Sequence, residues 1–89
     1  MKLNDKEWEL VIKNTDACFD RFTQRLKENF SCLTEDDVRF CCLVKMELRL
    51  SLLADIYHIE KGSISRRKMR MKEKMGITRL SLDDFIKNF

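Results

Sequence analysis

Proline is missing from this chain of 89 residues, and glycine occurs only twice, at Gly62 and Gly76. Almost nothing is therefore left to break helical backbone. No apolar–polar alternation runs long enough to make a strand. No uncharged apolar stretch approaches the roughly 20 residues of a membrane helix, and no basic-then-apolar leader opens the chain. An all-α chain without membrane insertion is expected, and a cytoplasmic address with it.

Catalytic and metal-binding groups are equally thin. His58 is the single histidine, and Cys18, Cys32, Cys41 and Cys42 contain no C-x-x-C spacing. A metal set is therefore not expected. Cys18, Cys41 and Cys42 fall within apolar helical patterns and read as buried, reduced thiols that behave as small hydrophobes. No glycine-rich phosphate loop is present. Asp36-Asp37 and Asp83-Asp84 are explained as helix-start carboxylates favoured by the local dipole. An enzyme is not expected, and neither is a cofactor.

What the chain has in quantity is charge, and the charge is uneven. Between Glu60 and Arg79 eight basic residues face two acidic ones, a local balance of +6 within a chain whose net charge is +3. In the same region Ile64, Met71 and Met75 recur at spacings that place them on one helical face. Gly76 follows, where a left-handed residue ends a helix at low cost. Upstream, Leu48, Leu52, Leu53, Ile56 and Tyr57 share another helical face, and Ile59-Glu60-Lys61-Gly62 reads as the turn between the two patterns. A helix with one apolar face and an otherwise basic surface suits the major groove of DNA.

The remainder reads as amphipathic helix. Asn4 with Glu7 is a capping-box variant, and Trp8, Val11 and Ile12 share a face. Asn14-Thr15-Asp16 reads as a break, followed by a stripe of Phe19, Phe22, Leu26 and Phe30. That stripe is either core packing or a seam for a partner. Thr34 with Asp37 caps a helix running to about Met46, and Ser81 with Asp84 starts a last one bearing Leu82, Phe85, Ile86 and Phe89.

From Leu48 to Ile77 the chain resembles the helix-turn-helix of LuxR/GerE-type bacterial transcription regulators, a group of the winged-helix-like superfamily. Leu53-Ala54 stands where the family has Ile-Ala, Ser63-Ile64 where it commonly has Thr-Val, and Lys74-Met75-Gly76-Ile77 resembles its closing Lys-Leu-Gly-Val. More loosely, Leu33 to Met46 resembles the family's first helix. Leu52, Glu47 and Glu60 depart from the pattern. Glu60 replaces the serine that usually caps the recognition helix, at a cost of roughly 1 kcal/mol. The layout also resembles C-terminal modules of bacterial sensor-regulators that follow tetratricopeptide repeats, which implies a sensor region upstream.

The resemblance implies a helical extension over residues 1–33 packed on a LuxR-like domain over residues 34–89, the two forming one folding unit. Within it the scaffold helix is expected at about 49–57 and the recognition helix at about 62–75. The implied function is sequence-specific binding of double-stranded DNA by a transcription regulator, acting as a homodimer. The alternative is the same scaffold used as a protein-interaction module.

With Ile64, Met71 and Met75 inward, Ser65, Arg66, Met69 and Arg70 are the expected base contacts. Arg66 can pair bidentately with guanine, and Met69 can touch a thymine methyl. Lys61, Ser63, Arg67, Lys68, Lys72 and Lys74 are expected at phosphates. Leu82, Phe85, Ile86 and Phe89 are dimer contacts by resemblance, with core packing as the competing reading.

Overall fold

The computed structural model describes residues 2–89 and is all-helical. Helix α1 spans Asp5–Cys18 and α2 Phe22–Asn29; α3 covers Glu35–Lys45. The chain continues through α4 (Leu50–Tyr57), α5 (Lys61–Lys74) and α6 (Leu82–Asn88).

Local chemistry accounts for three of the six helix starts and for the end of α5. Asn4 and Glu7 form a reciprocal capping box at α1, with backbone–side-chain bonds of 2.8 and 3.0 Å. Thr34 and Asp37 do the same at α3. The Asp84 amide donates to Ser81 Oγ at α6. At the far end of α5, Gly76 adopts φ +72°. The Ile77 amide then reaches back to the Lys72 carbonyl and the Gly76 amide to that of Glu73, a Schellman closure.

Helix α3 is the axis of the molecule. Val38, Phe40, Cys41, Cys42, Leu43 and Val44 are all buried, so it is covered on nearly every side, as a central helix must be. It packs on α1, α2 and α6, while α5 packs on α4 and α6. Phe22, Leu26, Leu53, Ile64, Met71, Leu82 and Ile86 close one continuous core around it.

Several expectations need correction. Asn14-Thr15-Asp16 does not break the first helix, which runs on to Cys18 with the Thr15 hydroxyl turned back onto the Val11 carbonyl at 2.6 Å. The break falls at Phe19–Arg21, where Asp20 and Arg21 take left-handed backbone, with φ of 51° and 56°. Asp16 instead caps the next helix. Its carboxylate accepts from the Thr23 amide at 2.7 Å and the Thr23 hydroxyl at 2.6 Å, a service that Arg21 at the N-cap does not supply. Phe19 consequently lies outside α2 and is exposed, while Phe22 and Leu26 are buried in the core.

Cys18 is exposed rather than buried, since it is the last residue of α1 before that break; Cys32 is exposed too, and all four thiols are free. Burial lifts the Cys41 and Cys42 thiols to about 12. The turn before α5 is also shorter than expected. It consists of His58, Ile59 and Glu60, with the left-handed position taken by His58 at φ 53°, so Lys61 and Gly62 already belong to the helix.

The apolar face of α6 is largely used within the chain. Leu82 and Ile86 are buried in the core and are therefore not presented to a second copy. Phe85 and Phe89 are half-buried. Phe85 meets Phe30 edge-on with ring centroids 5.8 Å apart, and Phe89 meets Phe22 at 6.0 Å. The end of α6 is fastened by cations: Lys45 Nζ donates to the Ile86 and Lys87 carbonyls at 3.1 and 2.9 Å, and Arg25 to the Phe89 carbonyl at 2.7 Å.

Candidate nucleic-acid interface

Helix α5 is held from below by Ile64, Met71 and Met75, all buried, and packs on α4, whose Leu53, Ala54 and Ile56 are buried too. The α4 end is closed by the Ile59 amide on the Ala54 carbonyl at 3.1 Å, which sets the approach of the three-residue turn. Glu60 is the N-cap of α5, and its side chain makes no capping bond.

This seating puts Ser65, Arg66, Met69, Arg70 and Glu73 on the solvent side of α5. Met69 is 64% exposed, a large apolar side chain in the middle of a charged face. Arg66 donates to Ser63 Oγ at 3.2 Å, a contact that keeps its guanidinium on the outer face near the start of the helix. Lys61, Arg70, Lys72 and Arg79 make no ion pair among the described residues.

The three other basic residues of α5 are engaged by the chain itself. The Arg67 guanidinium lies over the rings of Phe40 and Tyr57 and donates to the Asp36 carbonyl at 3.3 Å. Lys68 Nζ is 2.9 Å from the Asp83 carboxylate of α6, and Lys74 Nζ is 2.6 Å from that of Asp37 on α3. Partial burial of Asp37 by itself opposes ionisation. The Lys74 ammonium and the Thr34 amide outweigh it and hold the carboxyl below its usual range.

The structure thus divides the ten residues expected at DNA. Ser65, Arg66, Met69, Arg70 and Lys61 are exposed together on one side. Ser63 and Lys72 stand half-buried at its edges, and Arg67, Lys68 and Lys74 are committed to internal partners. Arg79, just past α5 and exposed, is a cation that the residue pattern alone did not single out. Asp37 and Asp83 were legible only as helix-start acids. Their pairing with lysines 37 and 15 positions away has no local sequence signal.

Other chemistry is sparse. Among the described residues no group of three or more His, Cys, Asp or Glu is placed to hold a metal ion, and no helix is long and apolar enough to cross a membrane. Comparison of the chain with protein-family models, curated proteins and solved structures finds no match in any of the three.

Proposed function

We propose that this chain is a sequence-specific DNA-binding module of a bacterial transcription regulator, with α5 lying in the major groove. The observation that carries the reading is the outer face of α5. It offers Arg66 and Arg70 without ion pairs, a serine and an exposed Met69, all on a helix fixed by three buried side chains. Guanidinium groups pair with guanine, and a thioether methyl fits a thymine methyl, so such a face can discriminate base pairs. The LuxR-like pattern of the sequence supports the same docking.

Lys61, Lys72 and Arg79 are the phosphate contacts of this proposal, because they are free to move to a phosphodiester. Cytoplasmic action by two copies on paired half-sites belongs to the proposal as well. For the second copy, the half-exposed rings of Phe85 and Phe89 are what α6 has left of its apolar face.

A second reading, a helix-turn-helix used to bind protein, is favoured by one observation: three of the seven basic residues of α5 are already spoken for within the chain, and Glu73 shares the outer face.

Titration of fluorescent duplex DNA at two salt concentrations, with enrichment from a pool of random duplexes, separates the two. Steep salt dependence with recovery of a short motif supports the regulator. A folded sample that fails to bind at low salt moves the assignment to the interaction module.

A further inference from the structure

The two ion pairs flanking α5 bear on the affinity for arbitrary DNA. Asp37 reaches Lys74 from α3, and Asp83 reaches Lys68 from α6. The Lys68 side chain is only 19% exposed, so the pair draws it down against α6 rather than out toward solvent. Both acids sit in the first turns of their helices, each with backbone groups that fix the turn: Asp37 accepts from the Thr34 amide, and α6 is capped by Ser81. Neither acid is on the outer face that holds Arg66, Met69 and Arg70.

Sequence-independent binding to DNA is almost wholly an exchange of condensed counterions for protein cations at phosphates. A lysine already on a carboxylate enters that exchange only by leaving its partner. The carboxylate is then left unpaired beside a polyanion. Base contacts are a separate matter, since they use the outer face.

We infer that Asp37 and Asp83 set the level of sequence-independent affinity: they hold Lys74 and Lys68 off the phosphates and keep the binding of arbitrary DNA weak. Readout by the Ser65–Arg70 face then accounts for a larger share of binding to a preferred site. The inference rests on the DNA-binding reading above and adds to it two residues that do not themselves touch DNA.

The test uses the full chain and random-sequence duplex across a range of salt. Asp83→Asn and Asp37→Asn keep shape and an acceptor oxygen while removing the charge, so each retains its helix start. Each is expected to bind random duplex roughly twofold to fivefold more tightly at low salt, the range an exposed ion pair is worth, and to steepen the log–log salt slope by about one unit. Glu9→Gln, the same charge change on the exposed side of α1, is the control and leaves the slope as it was.

Adding Lys68→Ala to Asp83→Asn returns the slope to the wild-type value if the gain runs through Lys68. Slopes unchanged from wild type, or a gain that survives loss of Lys68, overturn the inference while leaving DNA binding intact. Wild-type protein that is folded and binds no duplex at any salt overturns the DNA-binding reading, and this inference with it.

Discussion

The guanidinium carbon of Arg67 lies 4.6 Å from the centroid of the Phe40 ring and 4.9 Å from that of Tyr57. A cation of the basic helix is thus built into the seam where α3, α4 and α5 meet. Its charge is held over two ring faces, and its aliphatic stem covers apolar surface.

Arg67→Ala is therefore expected to lower stability by about 1–2 kcal/mol, through lost cation–π contact and lost packing. Arg67→Lys recovers only part of it, because an ammonium has no planar face to lay on a ring. Urea denaturation measures this without DNA. A variant that unfolds like wild type would return Arg67 to the surface charges.

Under the DNA-binding proposal, substitutions of Arg66 and Lys72 separate base contacts from phosphate contacts. Arg66→Ala should lower affinity for a selected site by about 1–3 kcal/mol and relax preference at one base position. Lys72→Ala should weaken binding to every sequence and reduce the salt slope by about one unit. Competition binding with point-mutated duplexes reads the first and a salt series the second. A uniform loss for Arg66→Ala removes it from the base readers, and an unchanged slope removes Lys72 from the phosphate contacts.

Stability should fall in alkali. Burial raises the Cys41 and Cys42 thiols from 9.0, and the Tyr57 hydroxyl from 10.0, to about 12 in the folded chain. A group whose folded-state pKa is raised contributes stability below its unfolded value and loses that contribution as pH climbs to the folded one. Denaturation midpoints should therefore hold near pH 8 and drop progressively between about pH 9 and 12. A flat profile over that window would contradict the burial of these groups. At neutral pH a thiol reagent should modify Cys18 and Cys32 readily, and Cys41 and Cys42 only on unfolding.

The two glycines should respond oppositely to alanine. Gly76 has φ +72° and closes α5, so Gly76→Ala is expected to cost about 1 kcal/mol from the backbone alone. Gly62 lies in the first turn of α5 with nothing within 4 Å of an added Cβ, so Gly62→Ala should be neutral or stabilising by up to about 1 kcal/mol. Thermal unfolding of the pair checks both signs. A gain from Gly76→Ala would show that the left-handed closure is not needed.

The features legible in the sequence are those whose cause lies along a single helix and its caps. The Asn4–Glu7 and Thr34–Asp37 boxes, the Ser81 cap, the Gly76 closure and the inward trio of Ile64, Met71 and Met75 each depend on residues three to eleven positions apart. What escaped depends on pairing between different helices. Asp16 caps a helix by bonding Thr23, seven positions on, and so reads locally as a helix breaker. Lys68 and Lys74 count as free cations until α6 and α3 bring Asp83 and Asp37 beside them. Leu82 and Ile86 form a stripe that serves a core or a partner equally well by pattern, and only packing assigns it to the core.

The most direct test of the central claim is amide chemical-shift mapping of the isotope-labelled chain during titration with duplex DNA at low salt. Docking of α5 in the major groove gives its largest changes at Ser65, Arg66, Met69 and Arg70, with smaller ones at Lys61, Lys72 and Arg79. Changes centred on α1 or α2 with α5 silent, or no change from a folded sample, would contradict it.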